Sequence, residues 1–328
     1  MTQKKALITG ITGQIGSYLA EELLANNFQV IGLVRRSSRQ PHNLARVRHL
    51  LDQITIAEGD LTDQGSLDRA MEQVHPDYVF NLAAQSFVAL SWSQPTLTMD
   101  VTGLGVLRVL EAVYKYAPQA RMVTCSSSEM FGKVQETPQT ETTPFYPRSP
   151  YGIAKLAGFW LAKNYRESHG LFASTAICFN AEGPRRGEEF VTRKISLGAA
   201  RIALGMASEL RLGNLKARRD WGHAKDTARA IRLIAEHDLP DDFVVATGET
   251  HSIEEFLEIA FGVAGLDWHQ YVRQDEQFIR PAEVDLLLGN PAKIRKILGW
   301  ERSVSFEELV TEMVEADLAL LRGKSHQL

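Results

Sequence analysis

Tyr151 and Lys155 stand four residues apart in Ser149-Pro150-Tyr151-Gly152-Ile153-Ala154-Lys155. On a helix that spacing puts both on one face, one turn from each other. An ammonium so placed stabilises a tyrosinate, so the phenol is expected below its ordinary value of about 10. Such a phenol can take the proton of an alcohol hydroxyl while hydride leaves the same carbon. Pro147 and Pro150 prevent an earlier helix start and set Tyr151 near the first turn. The same spacing also occurs in ordinary surface pairs, so it needs support from elsewhere in the chain.

A hydride needs an acceptor, and the N-terminus has the pattern for one. Ala6-Leu7-Ile8-Thr9 is a short apolar run that meets Gly10-Ile11-Thr12-Gly13-Gln14-Ile15-Gly16, and a helical pattern follows from Ser17 to Ala25. Strand, glycine turn and helix N-terminus together suit a dinucleotide pyrophosphate: the backbone can approach it, and the helix end faces its charge. Phe28 to Val34 reads as the second strand and ends in Arg35-Arg36-Ser37-Ser38. An acid there would hold a free ribose; two guanidiniums and two hydroxyls suit a ribose 2′-phosphate, so NADP is expected, with a solvated basic loop as the alternative.

Further strand ends gather around the same place. Ile54-Thr55-Ile56 leads to Gly59-Asp60-Leu61, whose Asp can meet an adenine amino group. Tyr78 to Ala84 reads as a strand ending in small residues that let a ribose approach or let a helix pack tightly. Met122-Val123-Thr124-Cys125 runs into Ser126-Ser127-Ser128-Glu129, a carboxylate where parallel strands gather ligands. Thr98 to Tyr116 carries Val101, Leu104, Val106, Leu107, Leu110 and Val113 at helical spacing, for a core or a dimer face.

The second half adds a strand from Ser174 to Asn180, a short one over Leu210 to Asn214 and a late one from Val244 to Gly248. Cations concentrate between them: Arg185, Arg186, Arg193, Lys194, Lys216, Arg218 and Arg219. With Arg280 they suit a diphosphate, or they are scattered surface charge. Ser252 with Glu255 and Ser305 with Glu308 each read as a capping box opening a helix.

The bulk composition sets bounds. The chain has 328 residues, 44% hydrophobic and 23% charged, enough for one large domain or two lobes and unlike a disordered chain. A net charge of -4 gives no basic field for nucleic acid. Cys125 and Cys178 both fall in apolar runs, as expected of buried thiols in a reducing cytoplasm, although they could pair. No run reaches the roughly 18 apolar residues of a membrane span, and the first strand pattern begins too early for a signal peptide. The nine His are dispersed without metal-ligand spacing.

Assembled, these pieces resemble the extended short-chain dehydrogenase/reductases and, more closely, the GDP-mannose 4,6-dehydratase family along nearly the whole chain. The runs that carry the resemblance are GITGQIGS, RRSS, NLAAQS, SSSEMFG, TPFYPRSPYGIAK, FNAEGPRRGEEFVTRK, LGNLKARRDWGHAKD and RPAEVDLLLGNPAK. It implies an α/β fold: a Rossmann doubly wound parallel sheet over residues 1–178 with about 222–256, and a smaller nucleotide-sugar lobe over 179–221 and 257–328.

It also implies a lyase that retains NADP. Tyr151 deprotonates the C4 hydroxyl, Lys155 lowers its pKa and binds the nicotinamide ribose, Ser127 hydrogen-bonds O4, and Glu129 removes the C5 proton so that the C6 hydroxyl leaves as water. Elimination gives Glu129 a task that simple reduction lacks. The cofactor residues implied are Gly10, Thr12, Gly13, Gln14, Ile15, Gly16, Arg35, Ser37, Asp60, Leu61, Leu82, Ala83, Ala84, Gln85 and Arg186, with Tyr151 and Lys155. Ser86, Asn180, Lys194, Arg219, Arg280 and Glu283 are implied for the GDP-sugar. A homodimer or homotetramer in the cytoplasm is implied, Arg35 and Ser37 reaching a neighbouring subunit's cofactor.

Four positions depart from the family pattern: Ile15, Ala181, Leu97 and Phe87, where Asp, His, Tyr and His are usual. None is among the proton-transfer groups. The alternatives are a GDP-4-keto-6-deoxy-sugar reductase or epimerase, a dehydratase of another GDP-sugar such as a GDP-heptose, and a non-catalytic NADP-binding regulator.

Overall fold

The computed structural model describes residues 3–36, 44–275, 277 and 286–323. Its centre is a seven-stranded parallel sheet. The strands are β1 (Lys4–Thr9), β2 (Phe28–Val34), β3 (Thr55–Glu58), β4 (Tyr78–Asn81), β5 (Arg121–Ser127), β6 (Ala173–Cys178) and a last strand, Asp242–Val245. Across the sheet the order is Asp242–Val245, β6, β5, β4, β1, β2, β3. The chain therefore winds outward from β1 to β3, then returns to β4 and winds the other way. A crevice opens beyond the strand ends at that reversal, between β1 and β4. This is the doubly wound Rossmann arrangement.

Helices cover both faces, which is why the strands read as unbroken apolar runs. Ile8, Phe80 and Val123 face one way and pack with Leu19 and Leu23 of the Gln14–Ala25 helix and Ile231 and Ile234 of the Ala224–Glu236 helix. Their chain neighbours Leu7, Val79 and Met122 face the other way, against Leu67 and Met71 of the Gln64–Val74 helix and Val109 and Val113 of the Gly105–Tyr116 helix. The two-residue period of a strand thus divides one apolar run between two cores.

A smaller lobe has its own core of Trp221, Phe256, Phe261, Phe306, Val310 and Met313. In it the Arg218–Arg219 strand lies between His251–Ser252, antiparallel, and Leu286–Leu287, parallel. Asp220 pins this lobe to the end of the last sheet strand. Fully buried, it accepts from Thr247 N at 2.9 Å, Thr247 Oγ1 at 2.7 Å, Gly248 N at 3.0 Å and Gly289 N at 3.3 Å.

Besides small shifts of strand ends, three features differ from the expected pattern. The first helix begins at Gln14 rather than Ser17, so the glycine turn is shorter and the helix end closer to β1. The Thr98–Tyr116 helix is interrupted by a π-helical turn, Met99–Leu104. Only the Ser305–Glu308 capping box closes in both directions. Ser252 accepts from Glu255 N, but the Glu255 carboxylate is taken by Arg218 Nη1 at 2.8 Å and His251 Nδ1 at 2.9 Å, tertiary partners that outcompete the backbone.

Candidate active site

The Pro150–His169 helix carries Tyr151 and Lys155. Ser149 caps it by accepting from Gly152 N at 3.0 Å, and Pro150 occupies the first turn, where its missing N–H costs nothing. Both functional side chains are buried. Lys155 Nζ donates to the Cys125 carbonyl at 2.5 Å and lies 5.9 Å from the centre of the Tyr151 ring. The helix is thereby fastened to the carboxyl end of β5. Ser127, the last residue of β5, hydrogen-bonds to the Tyr151 phenol. Its Oγ also accepts from Glu129 N at 3.2 Å, closing a short helical turn over Ser128–Met130.

The electrostatics correct one expectation. Burial is the largest influence on Tyr151 and raises its phenol above the ordinary value; Lys155 and the Ser127 hydrogen bond pull it down without overcoming burial. The Tyr–Lys pair is formed, but the phenol is not depressed overall.

The glycine turn lies on the neighbouring strand ends. Gly10 has a φ of 72°, and a Cβ there would meet Ala83 N at 2.8 Å; one on Gly16 would meet the Gly10 carbonyl at 2.2 Å. Only glycine lets β1, β4 and the first helix come this close. No side chain caps that helix at Gly13 and its first turn carries no acid, so its N–H groups are left for an anion. One cleft of about 640 Å³ joins this turn to the Tyr151 helix. Gln14 Oε1, Gln85 Oε1 and Asn180 Oδ1 belong to residues that line it, and each is buried with no hydrogen-bond partner among the described residues. A cleft of this volume at an uncapped helix end, with unsatisfied polar atoms along the wall, fits a dinucleotide.

The cleft brings together Ser127, Glu129, Tyr151 and Lys155 with Gly10, Thr12, Gly13, Gln14, Ile15, Gly16, Arg35, Asp60, Leu61, Leu82, Ala83, Ala84, Gln85, Ser86, Asn180 and Arg186. Asp60 already accepts from Thr62 N at 2.9 Å and Thr62 Oγ1 at 2.8 Å in its own turn. Lys194 and Arg219 do not line this cleft. Lys194 is on the Val191–Ala203 helix, its ammonium disfavoured by partial burial, and Arg219 is in the small lobe's strand. Ser37, Arg280 and Glu283 lie outside the described residues.

Among the described residues, the cations of the second half do not form a single cradle. Arg185 pairs with Glu21 at 2.5 Å, Arg193 with Asp317 at 2.5 Å and Arg218 with Glu255 at 2.8 Å. Arg186, which does reach the cleft, is held by buried Glu182 at 3.0 Å and stacks over the Phe190 ring at 3.5 Å.

Some contributors lie outside the motifs read from the sequence. Thr9 Oγ1 donates to Asn81 Oδ1 at 2.8 Å and accepts from Leu82 N and Ala83 N at 3.1 Å, tying β1 to β4 at the crevice. Thr102, on the π-helical turn, accepts from Gln85 N at 3.1 Å. A hydroxyl at the last position of β1, directly before Gly10, is the sign that would have identified Thr9. Phe190 also lines the cleft, and so do Cys125 and Cys178.

A Rossmann sheet whose crevice holds a glycine turn and a Ser–Tyr–Lys set defines a short-chain dehydrogenase/reductase of the epimerase and dehydratase type. The structure of UDP-glucose 4-epimerase from Thermotoga maritima, solved with UDP-glucose, matches with a TM-score of 0.85 at 27% identity, covering 97% of this chain and 99% of that one. That of DesIV, a dTDP-glucose 4,6-dehydratase from Streptomyces venezuelae with NAD bound, matches at 0.84 and 27%, covering 95% and 96%. The family model for GDP-mannose 4,6 dehydratase matches residues 7–313. GDP-mannose 4,6 dehydratase 2 of Arabidopsis thaliana is 49% identical over 98% of this chain and 88% of its own length. The Homo sapiens GDP-mannose 4,6 dehydratase is 46% identical over 97% and 92%. The chain belongs to the GDP-mannose 4,6-dehydratase family.

Proposed function

We propose that this chain converts GDP-mannose to GDP-4-dehydro-6-deoxy-mannose and water. Family membership supports the substrate and the reaction. What supports the mechanism is one observation: Glu129 lines the same cleft as Ser127, Tyr151 and Lys155. A reductase needs the last three; an elimination needs the carboxylate as well.

The dinucleotide that the cleft residues would hold would supply hydride chemistry, its oxidised form as acceptor for the C4 hydride and its reduced form as donor to C6. Gly10, Thr12, Gly13, Gln14, Ile15 and Gly16 hold its pyrophosphate, with Arg186 beside them. Leu61, Leu82, Ala83, Ala84 and Gln85 line the remaining wall. Arg35, with Ser37, favours NADP over NAD through a ribose 2′-phosphate. Tyr151 takes the C4 hydroxyl proton, aided by the Lys155 ammonium, while Ser127 orients O4. Glu129 removes the C5 proton, made acidic by the neighbouring ketone, and the C6 hydroxyl departs as water. Glu129 hands that proton to the departing hydroxyl, and C5 takes a proton from solvent, balanced by the one that Tyr151 releases. Ser86 and Asn180 hold the substrate near the crevice, and Lys194, Arg219, Arg280 and Glu283 hold the GDP portion from the small lobe, which we take as residues 179–221 with 257–328.

A homodimer or homotetramer is part of this reading. Exposed Leu104, Tyr114, Ile153 and Trp160 support it, being apolar surface for a second copy to cover. Two free thiols accord with a cytoplasmic location. Among the described residues no helix is long and apolar enough to cross a membrane, and no cluster has metal-ligand composition.

The test is incubation with GDP-mannose and a catalytic amount of NADP⁺. The expected outcome is a 4-keto-6-deoxy product with no net change at the nicotinamide absorbance band. Stoichiometric loss of NADPH with a ketosugar instead would identify a reductase and refute the proposal.

A further inference from the structure

Cys125 and Cys178 have no place in the proposed reaction, yet both line the cleft. They lie at the carboxyl ends of adjacent strands β5 and β6, are free thiols, and have Sγ atoms 3.5 Å apart. The Cys125 carbonyl is also the group that anchors Lys155 Nζ, at 2.5 Å. A dithiol therefore sits directly beside the fastening point of the Tyr–Lys pair. We propose that Cys125 and Cys178 form a thiol–disulfide modification site in the floor of the dinucleotide cleft, oxidised by hydroperoxides and shielded by bound dinucleotide.

The two thiols are not equivalent. The contact with Cys178 draws Cys125 below its ordinary value against the opposing effect of burial, and the Lys155 ammonium adds to the lowering. The same contact pushes Cys178 well above its ordinary value. Cys125, whose own carbonyl holds the Lys155 ammonium, is assigned as the nucleophile. Its thiolate attacks a peroxide oxygen, breaks the O–O bond and becomes a sulfenic acid, releasing hydroxide, or an alkoxide from an organic peroxide. The Cys178 sulfur then attacks the Cys125 sulfur, and water leaves with the Cys178 proton. For hydrogen peroxide, two thiols and one peroxide give one disulfide and two waters.

Bond formation moves the backbone. Cys125 registers with Ala176 and Ser127 with Cys178, so the two cysteines are diagonal neighbours. In parallel strands about 4.8 Å apart that rise about 3.3 Å per residue, such diagonal Cα atoms lie about 8 Å apart. A disulfide needs roughly 4.4–6.8 Å, with the sulfurs about 2.05 Å apart. Closing it draws the ends of β5 and β6 together and displaces the Cys125 carbonyl, with Lys155 and Ser127 beyond it.

The sulfur chemistry stands without the proposed reaction; only the loss of activity rests on it. Purified protein is treated with hydrogen peroxide, with and without saturating NADP⁺, then followed by intact mass and thiol titration. Without NADP⁺, a loss of about 2 Da and of both thiols is expected, at least about tenfold faster than with it, and dithiothreitol reverses it. Cys178→Ser should instead accumulate a gain of about 16 Da at Cys125. If the variant does not fold, the wild-type mass shift and its reversal decide the question alone. Persistence of both thiols, or direct gain of about 32 Da on one cysteine, would overturn the site. Equal rates with and without NADP⁺ would overturn the shielding. Dehydratase activity, normalised to untreated protein, should fall at least about tenfold in the disulfide form, as expected when a catalytic group is misplaced. Full activity in that form would overturn the link to Lys155. A protein inactive before oxidation would count against the dehydratase reading and leave the sulfur result standing.

Discussion

A Cβ placed on Gly152 would stand 2.7 Å from the carbonyl oxygen of Glu129. The glycine in the Pro-Tyr-Gly run therefore lets the Tyr151 helix press its first turn against the backbone that carries the carboxylate. The two proton-transfer groups are spaced by this contact. Gly152→Ala must push them apart by several tenths of an ångström, because neither the capped helix turn nor the backbone of the Ser128–Met130 turn is a flexible side chain. We expect kcat for dehydration to fall about ten- to a hundredfold, the usual cost of a sub-ångström misplacement, with dinucleotide affinity retained. Single-turnover rates and a fluorescence titration with NADPH separate the two quantities. An unchanged kcat would show that Glu129 does not depend on this spacing.

Removing the carboxylate without moving it is the complementary case. Glu129→Gln should still bind dinucleotide but form the 4-keto-6-deoxy product at least about a thousandfold more slowly, since one general base is lost. Product analysis by mass spectrometry checks this. A variant with full activity would assign the C5 proton to another group.

The main lines of this site were readable because they are local. A buried parallel strand is an apolar run, a glycine turn follows it, and a Tyr–Lys spacing after Ser-Pro fixes one helix face. The features that escaped are tertiary. Thr9 is one hydroxyl with no period to reveal it, and its bonds are to residues 72 and more positions away. The π-helical turn at Met99–Leu104 carries the same apolar spacing as an α-helix, so pattern alone passes over it. The basic residues around Arg185 and Arg193 read as a phosphate cradle until the fold supplies Glu21 and Asp317 as their partners. The net direction of the Tyr151 shift depends on burial, which spacing does not express.

That direction sets a pH dependence. The reaction needs the phenolate, so kcat/KM should rise with pH through the Tyr151 titration. Burial raises the phenol and Lys155 lowers it, so Lys155→Met removes a lowering influence and must shift the acid limb upward. A pH profile of kcat/KM for both proteins provides the check. An acid limb that stays in place would refute the coupling, even if Lys155→Met lowers the rate at every pH.

Arg35 lies at the end of β2 in the cleft wall. Arg35→Ala should weaken NADPH by about tenfold, the worth of one charge-assisted hydrogen bond, and leave NADH unchanged. Competitive titration of the two dinucleotides reads this ratio. Equal weakening of both would place Arg35 on the pyrophosphate or adenine rather than on a 2′-phosphate.

Asp220 offers a test of how the small lobe is held. Its carboxylate is fully buried and satisfies four donors from two loops, Thr247–Gly248 and Gly289. Asp220→Ala leaves those donors buried without an acceptor, and each unsatisfied buried group costs about 1–3 kcal/mol. Partial relaxation and entry of water reduce the sum, so a loss of about 3 kcal/mol is expected. Asp220→Asn keeps the shape and one oxygen acceptor but turns an amide N–H₂ toward donors, so it should recover only part of that loss. Urea unfolding followed by tryptophan fluorescence suits the measurement, because Trp221 is adjacent in sequence and buried in the small lobe's core. If both variants unfold at the wild-type midpoint, the lobes are held by apolar packing and the carboxylate is incidental.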